Sequence, residues 1–221
     1  MRLPTMSAEW IKADWPAPPH IVAGTTTRTG DVNKIAAEPR RLQQVHGASV
    51  IRSSDPAFQT GVPDADAVIS SEVNEVIAVR TADCLPVLLC SALGEEIAAV
   101  HCGWRGLAAD ILASTIDAMH TPAADLIAWF GPAISQQAFE VQDDVRDAFV
   151  SADENATACF ETNERGRYQA DLYGLARRKL SVAGVKAVHG GGLCTYSDPE
   201  RFFSYRRDGS TGRMTSFIYR L

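Results

Sequence analysis

The sequence of 221 residues predicts an α+β protein with a mixed β-sheet, built as a single domain over residues 1–221. Two apolar runs at residues 85–90 and 97–101 flank a turn at Gly94, and they predict a hairpin of two buried strands. Helical periodicity follows later, at residues 107–119 and 172–183. Because strands and helices do not alternate strictly, this order favours α+β over a doubly wound fold.

The remaining elements follow from local patterns before and after this hairpin. Before it, we expect an extended Pro-rich lead-in at 10–21, a strand at 21–27, a turn at 28–31, a short helix at 39–45, and strands at 67–69 and 76–79. After it, we expect strands at 126–130, 185–188 and 217–219 and a helix at 145–150. Gly184 is a candidate helix C-cap, and the run Gly190–Gly191–Gly192 requires a special backbone or a close approach.

Composition and charge narrow the class of protein. Hydrophobic residues make up 46% and charged residues 22%, which is typical of soluble globular proteins. The formal net charge of −6 disfavours broad nucleic-acid binding but allows a local basic pocket for a small anion. No apolar run approaches the roughly 18 residues of a membrane span, and the N-terminus has no apolar signal region. We therefore expect a cytoplasmic protein without a membrane partner.

The cysteines indicate neither a disulfide framework nor a zinc finger. There are five of them, widely spaced, and no pair has the CxxC pattern. Cys84 is instead of interest because it ends the segment TADC.

Three segments place a metal-ligand side chain at the end of a predicted strand or helix, beside a glycine or a turn. They are QVHG at 44–47, TADC at 81–84 and AVHCGWRG at 99–106. Strand ends hold functional side chains on a rigid frame that is open to solvent. Together His46, Cys84 and His101 form a His₂Cys set, which suits a catalytic zinc with one open position, or copper. Zinc would lower the pKa of a bound water and polarise a substrate oxygen.

The same residues are also compatible with a catalytic mechanism that uses no metal. Cys84 could be a nucleophile with His101 as its base, and Asp83 could orient that histidine. Each residue alone could also be an ordinary core or surface residue. Cys102 would point to the face opposite His101 and pack in the core.

Two arginine-containing segments are candidates for anion binding. Arg105 lies in a Gly–Trp–Arg–Gly turn before a helix, where a guanidinium and a helix N-terminus both favour phosphate. Residues 202–214, FFSYRRDGSTGRM, combine arginines such as Arg206 with aromatic residues such as Phe203. Aromatic faces could stack on a planar base and the arginines could hold a charged group. The alternatives are a surface arginine in a tight turn and a charged hairpin loop with an aromatic anchor.

Taken together, the motifs QVHG, TADCLPVLL, AVHCGWRGL, GPAI and FFSYRRDG…TGRM resemble the bacterial YfiH/YlmD family over residues 44–221. The family is also called the laccase-domain, polyphenol-oxidase-like or peptidoglycan-editing-factor family. The resemblance implies a four-layer α/β/β/α sandwich with mixed sheets and an internally duplicated βαββ unit. The N-terminal segment 1–40 is shorter than in family members, and we expect this shortening to remove one wall of the substrate pocket.

The resemblance also implies an activity and a site. The metal, zinc or copper, would be held by His46, Cys84 and His101. The reaction would be phosphorolysis of inosine, guanosine, adenosine or methylthioadenosine by phosphate, with adenosine deamination in the same site. We assign catalytic roles to Cys84, His101 and Arg105, and substrate binding to Arg105, Arg206 and Phe203.

Two further activities linked to the family remain as alternatives. One is hydrolysis of misincorporated cell-wall muropeptide-nucleotide precursors, and the other is weak copper-dependent polyphenol oxidation. A multicopper oxidase needs many histidines, often in His-x-His pairs, whereas this chain has five histidines and no such pair.

Overall fold

The computed structural model describes residues 9–34 and 37–221. Its strands are β1 Trp10–Lys12, β2 Ile21–Thr26, β3 Val50–Arg52, β4 Ala67–Ser70, β5 Ile77–Thr81, β6 Leu85–Ser91, β7 Ile97–Cys102, β8 Leu126–Phe130, β9 Glu140–Val141, β10 Phe160–Thr162, β11 Tyr168–Ala170, β12 Ala187–Gly190 and β13 Met214–Arg220. Its α-helices are α1 Ala57–Thr60, α2 Trp104–Ala108, α3 Ile111–Ala118, α4 Asp143–Val150, α5 Leu172–Val182 and α6 Tyr205–Asp208. Short 3₁₀ segments lie at Val32–Lys34, Ala123–Asp125, Gln136–Ala138 and Glu154–Cys159.

The strands form two large sheets and one small one. The six-stranded sheet has the order β12-β8-β6-β7-β4-β3, in which β12 with β8 and β3 with β4 pair in parallel and the other pairs are antiparallel. The four-stranded sheet β1-β2-β13-β5 and the three-stranded sheet β10-β11-β9 are antiparallel throughout. The predicted α+β class with mixed sheets is confirmed.

The four central strands β8, β6, β7 and β4 are buried on both faces, as continuous apolar strands require, whereas the edge strands β3 and β12 are partly exposed. On β6, Val87 and Leu89 belong to the core shared with helices α2, α3, α4 and α5. Leu88 and Cys90 point the other way, into a second core shared with Ile218 of the four-stranded sheet. The protein is therefore a layered sandwich in which helices cover one sheet and that sheet packs on another.

The outer face of the four-stranded sheet carries a smaller apolar cluster. Phe217 and Ala78 point outward, because they alternate with the inward Ile218 and Ile77. Val32, from the 3₁₀ segment Val32–Lys34, packs on this cluster. One turn of 3₁₀ helix therefore covers part of the outer face of the four-stranded sheet.

The hairpin and the glycine predictions are confirmed. Strands β6 and β7 pair antiparallel, with Leu88 opposite Ala99. Gly184 follows helix α5 with a φ of +94°. The three consecutive glycines at 190–192 all have positive φ, from +70° to +86°, a region that residues with a Cβ rarely adopt.

One helix prediction is wrong, and a second is confirmed apart from a break within it. Residues 39–45 are extended, because Arg40 and Gln43 form parallel bridges with Ile77 and Asp64 and their amides donate to neighbouring carbonyls. Sheet-edge hydrogen bonds here override a weak local helix propensity. Residues 107–119 form the end of α2 and then α3, because Asp110 has a left-handed φ of +62° that breaks the helix.

Two predictions about the N-terminal part of the chain include residues that the structure does not describe. Residues 1–8, which belong to the N-terminus predicted to carry no signal, and residues 35–36, within the segment predicted to be shortened, lie outside the described residues. Within the described ranges, no helix combines the length and apolarity needed to cross a membrane.

Candidate metal centre and substrate cavity

The three predicted metal ligands converge at one end of the central hairpin. Cys84 immediately precedes β6 and His101 lies near the end of the antiparallel β7, so the pairing brings them side by side. His46 comes from the loop before β3. One ligand atom from each residue lies within 4.8 Å of the other two, and Cys84 Sγ is 3.9 Å from His46 Nε2. Such a group could hold a metal ion.

The buried carboxylate of Asp66 organises this cluster. Its Oδ1 accepts hydrogen bonds from His101 Nδ1 at 2.8 Å and from the His46 backbone N–H at 3.0 Å, and its Oδ2 accepts from the Gly47 N–H at 2.7 Å. Because Nδ1 of His101 is engaged, Nε2 is left to bind a metal, as in carboxylate–histidine–metal triads. Asp66 thus fixes both a ligand ring and the loop that carries a second ligand.

Asp66 was missed as a functional residue, and the expectation that Asp83 orients His101 is wrong. Asp83 instead accepts hydrogen bonds from Thr195, Ser204 and Arg206. The sequence predicts Asp66 only as part of a turn before the strand at 67–69. The available signal was its place before β4, because β4 pairs with the strand that carries His101.

The electrostatics of the site favour charged forms of its ligands. Burial raises the pKa of Asp66, but hydrogen bonds from His101 and Gly47 outweigh it and leave the pKa below its ordinary value. Burial likewise opposes the charged forms of Cys84 and His101. Hydrogen bonds and attraction within the cluster nevertheless lower the pKa of Cys84 to about 6 and raise that of His101 to about 9. The lowered pKa of Cys84 favours the thiolate, which is both the metal-binding and the nucleophilic form.

The backbone at the site is unusual and tightly packed. His46 and Asp83 are non-glycine residues with φ of +61° and +89°. Such conformations cost free energy and concentrate at functional sites. Gly103, the N-cap of α2, lies against the ligands, because a Cβ there would be 2.9 Å from His46 Cδ2 and 3.2 Å from Cys84 Sγ. The room around the three ligand atoms thus depends on a missing side chain.

A cavity of about 700 Å³ opens beside the three ligands. Its walls come from the loop before β3, the β5–β6 connection, α2, the segment 134–139 and the C-terminal segment around α6. Four arginines line it: Arg80, Arg105, Arg206 and Arg213. None of the four forms an ion pair with a carboxylate in the part of the chain that the structure describes. These guanidinium groups are therefore available to an anion, while the Asp83 carboxylate, which also lines the cavity, accepts hydrogen bonds from Thr195, Ser204 and the Arg206 backbone.

The predicted anion-binding arginines both reach this cavity. Arg105 lies within the first turn of α2 rather than before the helix, and its guanidinium carbon is 4.4 Å from the centroid of a Trp104 ring. The Arg206 guanidinium stacks near the Phe139 ring and donates to the Glu140 carbonyl at 2.9 Å. These contacts hold both guanidinium groups at the cavity wall without neutralising their charge.

The structure does not bring Phe203 to the cavity. Its ring lies 5.1 Å from the guanidinium carbon of Arg28 and presses against Gly212. Tyr205 and Phe139 supply the aromatic rings that line the cavity next to Arg206. Strand and loop geometry decide which residue of a run such as FFSY faces inward, and its composition does not show this.

Comparison with known proteins gives one consistent result. A family model described as multi-copper polyphenol oxidoreductase laccase matches residues 18–221. A purine nucleoside phosphorylase of Pseudomonas aeruginosa is 41% identical, with 95% of this chain and 98% of that protein covered. The purine nucleoside phosphorylase YfiH of Escherichia coli K12 is 39% identical, with the same coverage of 95% and 98%.

Solved structures agree with the sequence matches. The crystal structure of a Neisseria meningitidis protein superposes with a TM-score of 0.92 at 40% identity, covering 96% of this chain and 99% of that chain. YlmD from Geobacillus stearothermophilus superposes with a TM-score of 0.88 at 26% identity, covering 98% and 97%. The chain therefore belongs to the laccase-domain family of YfiH and YlmD proteins, as its sequence motifs predicted.

Proposed function

We propose that the protein is a zinc-dependent purine nucleoside phosphorylase that also deaminates adenosine. The observation that carries the proposal is the joining of a His₂Cys group to an arginine-lined cavity of about 700 Å³. Relatives about 40% identical are named purine nucleoside phosphorylases, which supports this class of activity. The proposed nucleosides are inosine, guanosine, adenosine and methylthioadenosine, with phosphate as the second substrate.

The residues present fit a zinc ion. Two imidazoles and a thiolate are ligands that zinc prefers, and three protein ligands are typical of catalytic zinc sites with an open position. Gly103 leaves room at the ligand atoms, and Asp66 fixes His101 for binding through Nε2. When bound by His46, Cys84 and His101, zinc would supply Lewis-acid activation of an oxygen at the cavity. Copper is the alternative metal for the same donors.

The arginines are suited to hold phosphate against the ribose. Guanidinium groups bind phosphate oxygens in a bidentate manner, and Arg105 and Arg206 line the cavity without a carboxylate partner among residues 9–34 and 37–221. In phosphorolysis the bond between ribose C1′ and the purine nitrogen breaks and a phosphate oxygen bonds to C1′. The purine leaves with the bonding electrons and takes up a proton. Charge stabilisation and orientation by the arginines are the contributions we assign to them.

The purine ring needs an apolar surface in the cavity. Tyr205 and Phe139 line it beside Arg206, so we assign the stacking role first expected of Phe203 to these two rings. Stacking on Tyr205 would place the base near the guanidinium group of Arg206, which follows it in the chain.

Hydrolysis of cell-wall muropeptide-nucleotide precursors is the second candidate function. The proximity of Cys84 and His101, with a lowered thiol pKa and a raised imidazole pKa, favours it. Such a pair can form a sulfur–acyl bond at an amide carbonyl while the imidazole protonates the leaving amine, after which water cleaves the sulfur–acyl bond and restores the thiol. Polyphenol oxidation has weaker support, since the chain has five histidines and only two of them, His46 and His101, are in the cluster.

The deciding experiment follows inosine and adenosine by liquid chromatography with zinc-loaded protein, in buffers with and without phosphate. We expect hypoxanthine and adenine to appear together with ribose 1-phosphate, and only when phosphate is present. Arg105→Gln should raise the KM for phosphate by about tenfold or more, because a charged contact is lost. Arg146→Gln, at a surface arginine paired with Asp147, is the matched control and should not change it. Release of base in the absence of phosphate would instead establish hydrolysis of the bond between ribose and purine and would contradict phosphorolysis.

A further inference from the structure

Asp83 lies between the metal centre and the C-terminal part of the cavity wall. It directly precedes Cys84, and its backbone N–H and C=O belong to the turn that leads into β6. Its φ of +89° is rare for a residue other than glycine. The residue is only 9% exposed, so a charged side chain is held largely away from water. A buried carboxylate in this position needs compensating hydrogen bonds.

The Asp83 carboxylate has all of its observed hydrogen-bond partners in the C-terminal segment. Its Oδ1 accepts from Thr195 Oγ1 at 2.6 Å. Its Oδ2 accepts from Ser204 Oγ at 3.0 Å and from the Arg206 backbone N–H at 2.7 Å. Thr195 and Ser204 have no exposed surface. One side chain therefore joins two distant parts of the sequence in a dry environment, where such bonds are strong.

These bonds determine where α6 lies. The helix has only four residues, which is too short to be stable without outside contacts. Asp83 holds its first turn through Ser204 and Arg206, and α6 in turn presents the Tyr205 and Arg206 side chains to the cavity. On the other side, Arg207 fixes the segment by donating to the carbonyls of Thr195, Tyr196 and Phe202.

We propose that Asp83 is a positioning residue that sets Tyr205 and Arg206 at a defined place relative to Cys84. The inference rests on the proposed function, since it concerns the substrate of that same cavity. In the described residues, the hydrogen bonds of the Asp83 carboxylate go to Thr195, Ser204 and Arg206 and not to His46, Cys84 or His101, so its effect falls on substrate affinity and not on metal affinity. The strained backbone at Asp83 turns the chain so that the Cys84 side chain joins His46 and His101 while the Asp83 side chain faces α6.

The test compares Asp83→Gly with Asp83→Asn. Glycine adopts a positive φ without strain, so Asp83→Gly removes the carboxylate and leaves the turn before Cys84 in place. Asparagine tolerates the same backbone and can accept from Ser204 and Arg206, while the Thr195 hydroxyl reverses to accept from its amide. Asp110→Gly is the matched control, because Asp110 also has a left-handed φ and does not line the cavity.

Zinc affinity is measured with the metal-free chain, the KM and kcat for inosine and phosphate with the zinc-loaded chain, and hydrogen exchange of the Arg206 amide with both. We expect Asp83→Gly to raise KM about tenfold or more and to speed exchange at Arg206 by a similar factor, since a buried charged hydrogen bond is lost. Zinc affinity should stay close to that of the unchanged protein. Asp83→Asn should have a KM close to that of the unchanged protein, and Asp110→Gly should change none of these quantities.

Thr195→Val provides an independent perturbation, because it removes the hydroxyl that donates to Asp83 Oδ1 and leaves the residue before Cys84 and the Ser204 cap of α6 unchanged. It should also raise KM without affecting zinc. The proposal is overturned if Asp83→Gly lowers zinc affinity as much as it lowers substrate affinity. It is also overturned if neither the KM nor the hydrogen exchange of the Arg206 amide changes. If the unchanged protein shows no phosphorolysis, the proposed function fails, whereas the exchange and zinc measurements still decide the role of Asp83.

Discussion

At the scale of single residues, the cluster of His46, Cys84 and His101 depends on hydrogen bonds with Asp66, which is not one of the three candidate ligands. The Asp66 carboxylate serves His101, His46 and Gly47 at once. We expect Asp66→Ala to weaken zinc binding by about 10- to 100-fold, because His101 loses its orienting partner and the His46 loop loses its anchor. Competition with a zinc chelator measures the affinity.

Asp64→Ala provides the comparison for this change, since Asp64 lies two residues away and its backbone bridges to Gln43. Its zinc affinity should equal that of the unchanged protein. Equal affinities for the two variants would show that Asp66 does not organise the ligands.

Gly103 gives a steric prediction. A Cβ on Gly103 would approach His46 Cδ2 to 2.9 Å and Cys84 Sγ to 3.2 Å, while the backbone there is ordinary, with φ of −66°. We expect Gly103→Ala to reduce zinc affinity by about tenfold or more by displacing both ligands. In Gly47→Ala the new Cβ would be 3.7 Å from its nearest neighbour, so this variant should bind zinc normally. Normal binding by Gly103→Ala would contradict the packing described.

How much of the site the sequence reveals differs between residues. His46, Cys84 and His101 could be predicted as a cluster, and Arg105 as a candidate anion-binding residue, because each lies near a glycine or a turn in the sequence. Asp66 could not, because its importance depends on the pairing of β4 with β7, which joins residues 35 positions apart.

At the scale of secondary structure, Glu96 fastens the C-terminal end of α3 to the start of β7. Its buried carboxylate accepts from the backbone N–H groups of His120 and Thr121 and from Arg52. Burial raises the pKa of Glu96, but these bonds outweigh it and place the pKa below the ordinary value. The carboxylate therefore stabilises the fold in its charged form.

The sign of the pH dependence follows from the lowered pKa. The stabilisation is fully present above the unfolded-state pKa, near 4.5, and is lost as the pH falls through the lower folded-state value. Glu96→Gln should lower the free energy of unfolding by about 2–3 kcal/mol at pH 7. Its deficit should shrink as the pH falls below about 4.5.

Urea unfolding at several pH values measures both effects. Glu95→Gln, at the exposed neighbour, is the control and should unfold like the unchanged protein. A deficit for Glu96→Gln that stays constant down to acid pH would contradict the assignment.

The elements that the sequence predicted well are those with the strongest burial. Residues 85–90 and 97–101 are apolar on both faces, and a strand buried on both faces is the structure that such runs favour. Residues 39–45 were misassigned because their extended form depends on Ile77 and Asp64, which are distant in sequence. The break between α2 and α3 rests on one left-handed aspartate, Asp110, whose conformation has no sequence signal comparable to glycine.

At the scale of the whole molecule, the three candidate ligands join a loop to the central hairpin, which Asp66 already links through its hydrogen bonds with His46, Gly47 and His101. His46 belongs to a loop, while Cys84 and His101 belong to the central hairpin. A metal that binds only the folded chain stabilises it by about 2.7 kcal/mol at a concentration of 100 times Kd. We therefore expect zinc removal to lower Tm by about 5–10 °C for a domain of this size.

Calorimetry of the metal-free protein with and without added zinc measures this shift. Cys84→Ala should show little response to zinc. Cys102→Ala, at a buried cysteine whose side chain packs in the core beside the helices, should respond like the unchanged protein. A zinc response that survives in Cys84→Ala would place the metal elsewhere.

The central claim is that one zinc ion, held by His46, Cys84 and His101, is required for phosphorolysis of a purine nucleoside. The most direct measurement adds zinc stepwise to metal-free protein and follows hypoxanthine release from inosine in phosphate buffer. We predict that the rate rises in proportion to zinc, stops rising at one equivalent per chain, and is lost in Cys84→Ala. Full phosphorolysis by the metal-free protein, or an unchanged rate in Cys84→Ala, would contradict this account.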